Sequence, residues 1–325
     1  TPAAMDASVS DATAVRAAAN DPSLPAFTEA DEKAERSKMT KAEKAEAKAD
    51  MYGQVHPNET PELIASSLVR LEEELEKLPG EARVGYSRAV ERCPDLVGEK
   101  DKLKFLRCEV FNADLAALRL TKYWDKRIEI FGEERAFLPM TLDGAFRDDV
   151  SAIKQGFMRC DDAMMDTNRR RVLFVDPSLL DHSKHERSSV CRSIWYITHA
   201  VLEDETTQKR GVVFVAYPHR AKYEQFDRAL VKMNITSIRG CIPVRVGAFH
   251  ICQPPIFFKV IFPLLKLLMG KRLRARIKVH TGSEEDLVNR MGKFGIGADA
   301  VPSELGGNLI LNQEAWVERR REAGL

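Results

Sequence analysis

Between residues 169 and 294, short strand-like runs alternate with helical ones, and this alternation limits the fold more than any other feature. The strand-like runs are "RRRVLFVDP" (169–177), "GVVFVAYP" (211–218), "VGAFHIC" (246–252) and "ARIKVH" (275–280), two of them closed by proline. The helical runs are "KHERSSVCRSIWYITHAVLEDE" (184–205), "YEQFDRALVKMNIT" (223–236), an apolar stretch at 256–269 and "SEEDLVNRMGKF" (283–294). Strands joined through helices run parallel in one sheet. The pattern predicts an α/β domain over 140–312, with a mostly parallel sheet flanked by helices.

The chain ahead of that domain reads as all helix. In "TPELIASSLVRLEEELEKLPG", Thr60 is the N-cap, Pro61 takes the first helical position and Pro79-Gly80 is the stop. "GEKDKLKFLRCEVFNADLAALRLTKYWDKRIEIFG" gives two more helices, parted at Phe111-Asn112, where Asn112 caps the second. These form a small helical unit over 56–135. Residues 1–55 are rich in Ala, Asp, Lys and Glu, and "DEKAERSKMTKAEKAEAKAD" has no apolar stripe to bury. They read as a flexible charged arm, open to a protein partner. Residues 313–325 read as a C-terminal tail.

Composition narrows the function. With 50 basic against 49 acidic residues, net charge gives no reason to expect a nucleic-acid partner. The six cysteines form no CxxC pair and read as buried, reduced thiols. No stretch reaches the ~18 uninterrupted apolar residues of a spanning helix, and no signal peptide is visible. The expected compartment is the cytoplasm. Because the chain begins at Thr1, import into an organelle stays an open alternative. GxGxxG, GxxxxGK[ST] and GxSxG are all missing, so dinucleotide, P-loop and hydrolase chemistry lack their signatures. His182 and His185 of "DHSKH" have no further ligands at matched spacing, and Asp176 and Asp181 form no distinctive pair. The expectation is a binding protein, with no catalytic residue, no metal and no cofactor.

One stretch is unusual: "PPIFFKVIFPLLKLLMGKRLRARIKVH" (254–280). Read as a helix over 256–269, it has Ile256, Phe257, Val260, Ile261, Leu264, Leu265 and Leu268 over much of its circumference. Phe258, Phe262, Leu267 and Met269 add to them, and only Lys259 and Lys266 mark a polar edge. A surface helix needs a wider polar face. On periodicity alone a buried core helix fits. The six basic residues Lys266, Lys271, Arg272, Arg274, Arg276 and Lys278 favour a lid whose outer side meets an anionic membrane, each cation adding up to ~1 kcal/mol. Pro263 removes one backbone donor, which suits a mobile element.

Taken in order, several segments resemble the CRAL-TRIO lipid-transfer family. "FLRCEVFNADLAALRLTKYWDKR" resembles its amino-terminal helical part, and "TQKRGVVFVAYP" resembles the strand after its long helix. His250, Pro254-Pro255, the 256–269 helix, Val279-His280-Thr281-Gly282 and "VPSELGG" (301–307) follow the family's series of strand, gate helix, strand and glycine turn. The resemblance covers about 60–312. It implies a hydrophobic lipid as the only bound molecule. It also implies a gate helix made of Ile256, Phe257, Phe258, Val260, Ile261, Phe262, Leu264, Leu265 and Leu268, and exchange at phosphoinositide-containing or anionic membranes that the protein visits transiently. The chain looks nearer the tocopherol-transfer and retinaldehyde-binding branch than the yeast phosphatidylinositol-transfer branch. The latter's pocket Glu and Lys correspond here to Val244 and Arg276. The tocopherol branch implies a headgroup site at Arg107, Arg245, Arg272 and Arg276, and the planar guanidinium fork suits phosphate. Pocket-lining candidates are Ile194, Trp195, Phe214 and Val215. The alternative is a lipid-sensing or scaffold protein that uses the same fold without transfer.

Overall fold

A computed structural model describes residues 27–53 and 57–325. Among the described residues two charged helices come first, α1 (Glu29–Ser37) and α2 (Lys41–Met51). The helical unit follows as α3 (Pro61–Lys77), α4 (Val84–Arg92), α5 (Glu99–Cys108) and α6 (Ala113–Arg135). Thr60 Oγ1 accepts from Leu63 N at 3.2 Å to start α3, and Asn112 Oδ1 accepts from Leu115 N at 3.0 Å to start α6. Between α5 and α6 the chain turns through Val110 and Phe111, both at positive φ.

After α7 (Val150–Lys154) comes the sheet: β1 (Met158–Arg159), β2 (Val172–Val175), β3 (Val212–Ala216), β4 (Val246–Cys252) and β5 (Ile277–His280), side by side in that order. β1 pairs antiparallel with β2, and the other pairings are parallel. The crossovers are α8 (Arg187–Val201) with α9 (Glu205–Arg210), then α10 (Arg228–Gly240), then α11 (Phe258–Arg274). Each parallel step needs such a connection. α12 (Glu284–Gly292) and α13 (Gln313–Glu322) complete the domain.

Side chains alternate across the strands, so the sheet has two buried faces. Val212 and Phe214 join the core of α8 and the helical unit, whereas Val213 and Val215 join Leu287 and Met291 of α12. The α11 side chains Phe258, Ile261, Phe262 and Leu265 form a third cluster with Ile251, Ile277 and Val279. Among the described residues, no helix is long and apolar enough to cross a membrane.

Three segments differ from the sequence reading. Residues 29–51, read as a flexible arm, form helices packed on the domain. They dock mainly through ion pairs, with Ala47 and Met51 as isolated buried apolar side chains, and neither feature makes a stripe that periodicity registers. Residues 1–26 of that reading lie outside the described residues. Residues 313–325, read as a tail, hold α13, whose Trp316 and Val317 are buried and whose Arg320 donates two hydrogen bonds of 2.6 Å to the Glu203 carboxylate. The apolar helix begins at Phe258 rather than Ile256, because Phe258 N donates to Pro255 O in a tight turn after the two prolines. It also runs past 269, broken at Gly270 (φ 66°), where an added Cβ would meet Arg239 Nη1 at 3.1 Å.

Candidate lipid pocket and basic cleft

An apolar cavity of about 200 Å³ lies between the sheet, α8, α10 and α11. Phe214 and Phe249 form its floor, Ile194 and Leu230 its sides, and Ile261 and Leu265 its roof. Few polar side chains reach its wall. Gln225 is committed, donating through Nε2 to Ser178 O and Leu180 O, and Asp227 caps α10. Asn234 is different: it lines the wall, is 9% exposed, and its Oδ1 has no hydrogen-bond partner.

Two of the four expected lining residues, Ile194 and Phe214, border this cavity. Trp195 and Val215 do not. Trp195 is one helical step on from Ile194, about 100° round α8, and packs among Tyr123, Phe131 and His199. Val215 follows Phe214 along a strand and so faces the far side of the sheet.

The residues expected in the gate divide by depth. Phe257, Phe258, Ile261, Phe262 and Leu265 are buried; Val260, Leu264 and Leu268 are half-buried; Ile256 is exposed. Leu267, on the outer side, is 79% exposed and Pro263 is exposed beside it. At the break, Arg239 Nη1 donates to Leu268 O at 2.8 Å, satisfying a carbonyl the helix leaves open.

The four arginines do not share one exposed surface. Arg107 is buried, donating to Glu59, Glu205 and Gln208. Arg245 and Arg276 are buried against the Asp50 carboxylate of α2, and Arg276 also reaches Glu46 at 3.1 Å. Burial pulls both guanidiniums below the ordinary arginine value, yet arginine stays charged, so each buried cation needs a carboxylate beside it and Asp50 supplies one. Arg272 alone of the four is exposed, bonding Glu109 at 3.0 Å and lying 3.9 Å from Glu46. The sequence reading put all four at a membrane face; it carried each cation's position but not the acid paired with it.

A second cavity of about 380 Å³ lies between α1, α2 and the basic end of α11. Lys266, Lys271, Arg272, Arg274 and Arg276 line one side, and Glu32, Glu35, Glu43 and Glu46, with Arg36 and Lys38 between them, the other. Lys266 donates to Glu35 at 2.8 Å and holds that carboxyl below the usual carboxylate range. Among the described residues, no group of three or more His, Cys, Asp or Glu is placed to hold a metal ion.

The CRAL/TRIO domain family matches residues 163–307. Clavesin-2 of Homo sapiens is 23% identical over 210 residues, 64% of this chain and 61% of that protein. Alpha-tocopherol transfer protein-like of Mus musculus is 25% identical over 223 residues, 66% of this chain and 60% of that protein. Tyrosine-protein phosphatase non-receptor type 9 of Mus musculus is 24% identical over 137 residues, 42% of this chain and 22% of the phosphatase. The chain thus spans under two thirds of each of these relatives. A solved structure described as "Crystal structure of Sfh5" covers 80% of this chain and 98% of its own, at 14% identity and a TM-score of 0.46.

Proposed function

Because the chain carries a CRAL/TRIO domain, we propose that it binds one hydrophobic lipid beneath α11 and exchanges it at phosphoinositide-containing membranes. The observation that carries this reading is the apolar cavity roofed by α11. Its volume of about 200 Å³ falls below the ~300–1,000 Å³ of ordinary ligand pockets. A lipid therefore enters only if the roof moves. Pro263 removes a backbone donor within α11 and Gly270 breaks its helical geometry, so the roof has two points at which to bend.

Cargo is held mainly by apolar burial. Asn234 offers one neutral amide to a hydroxyl or carbonyl on the lipid, and satisfying a buried polar group in this way raises affinity. The same helix then serves the membrane. Leu267 and Pro263 on its outer side, with Ile256 just ahead of it, meet lipid tails, while the exposed Lys271 and Arg272 meet headgroup phosphates. Apolar insertion plus a few cations gives docking that reverses, as a carrier needs. Of the four arginines, this role falls to Arg272, because Arg107, Arg245 and Arg276 are enclosed in ion pairs.

Transfer of a fluorescent lipid between donor and acceptor vesicles tests the reading. The chain is expected to speed transfer, more so when acceptors carry phosphoinositide. Binding to vesicles with no transfer above the spontaneous rate would replace the carrier with a sensor or scaffold.

A further inference from the structure

The second cavity raises a separate question: why do carboxylates from α1 and α2 face the basic end of α11? α2 is attached unevenly. Its buried residues are Ala47, Asp50 and Met51, all in the last turns. There Arg170, itself fully buried, donates to Asp50 O at 2.7 Å and Met51 O at 2.8 Å, closing the helix end. Nothing in the first half of α2 is buried, and α1 buries only Glu32.

What holds that outer part is charge, one aromatic ring and two hydrogen bonds to the backbone of β5, where Arg36 donates to Ile277 O at 3.1 Å and Glu32 accepts from Val279 N at 3.3 Å. Asp31 lies 3.8 Å from Lys259, Glu35 bonds Lys266 at 2.8 Å and Glu32 bonds Lys278 at 2.8 Å. Glu29 pairs with Arg290 on α12. Phe27 packs its ring 4.2 Å from that of Phe262 and 5.4 Å from that of Phe258. Half-exposed ion pairs are weak and screened by salt, and elements held this way open most easily. The outer part thus grips the roof helix at Phe258, Lys259, Phe262 and Lys266, and faces Lys271 and Arg272 with Glu43 and Glu46.

We propose that α1 and the first half of α2 form a strap across α11, displaced when a lipid phosphate ester takes the basic end of α11 from the strap carboxylates Glu35, Glu43 and Glu46. This rests on the headgroup reading above and adds its regulation. One polyanion competes for the cations and, by lifting the strap, also frees Phe258 and Phe262 of the roof. The end of α2 held by Arg170 stays in place, keeping Asp50 on Arg245 and Arg276.

Hydrogen exchange and vesicle sedimentation of the full chain test it. The vesicles are phosphatidylcholine alone or phosphatidylcholine with phosphatidylinositol bisphosphate. With the second, residues 29–46 are expected to lose protection while 47–51 keep theirs. Phe27→Ala, which leaves the net charge unchanged, is expected to lower the phosphoinositide needed for half-maximal binding by about tenfold, since the competent state no longer waits on release. Glu35→Gln, a milder change, shifts binding the same way by less. Phosphoinositide-dependent binding with protection of 29–46 unchanged, and no gain in either variant, overturns the strap and leaves the headgroup reading standing. No phosphoinositide dependence in any of the three proteins overturns both.

Discussion

The two ends of α11 are held by opposite means. The front half, Phe258 to Leu265, roofs the cavity and is seated by apolar contact with Ile251, Ile277 and Val279. The far end, past Gly270, carries Lys271, Arg272 and Arg274 and is faced by carboxylates from α1 and α2. Apolar seating barely depends on ionic strength, whereas ion pairs respond to salt and to competing anions. A membrane offers both hydrocarbon and phosphate, so it can act on the two ends together. The contrast also separates buried from exposed cations: Arg245 and Arg276, which pair with Asp50, belong to the architecture, and Lys271 and Arg272 belong to the surface.

Substitutions at each end sharpen this contrast. The largest effect is expected from Asp50→Ala, which leaves Arg245 and Arg276 buried without their carboxylate. Breaking a buried pair on one side costs about 3–5 kcal/mol, and thermal unfolding should show it as a clear fall in midpoint. Leu265→Ala opens the roof and is expected to cost about 2–4 kcal/mol, with less lipid retained through purification. Arg272→Glu acts at the exposed end. Vesicle sedimentation should show a roughly tenfold loss of phosphoinositide-dependent binding at low salt, with a smaller fall in unfolding midpoint than Asp50→Ala because Glu109 keeps its pair with Arg119. Leu267→Ser is the mildest. Its stability should stay within about 0.5 kcal/mol of the parent, while binding to phosphoinositide vesicles falls several-fold. If Arg272→Glu destabilised the fold as much as Asp50→Ala, the division between buried and exposed cations would fail.

Much of the fold is legible in the sequence because its signals are local. The strands of the parallel sheet coincide with Val- and Phe-rich runs, and Thr60 and Asn112 cap the helices they were read to cap. β1 escapes notice because two residues carry no period. Which way a side chain faces depends on where the sheet lies. That separates Ile194 from Trp195 and Phe214 from Val215, neighbours in sequence that differ in surroundings. The docking of α2 is less legible still. Glu46 meets Arg276 across 230 positions of chain, through charges that read locally as a solvated helix. The apolar and basic character of α11 was plain, but the acids opposing its basic end could be found only in three dimensions.

The most direct test of the carrier claim is native mass spectrometry of the full chain, purified without detergent and mixed with a total lipid extract. A carrier shows a single added mass matching one lipid per chain, lost when Leu265→Asp puts a charge in the roof. A chain that shows only its bare mass at every lipid concentration would contradict that claim.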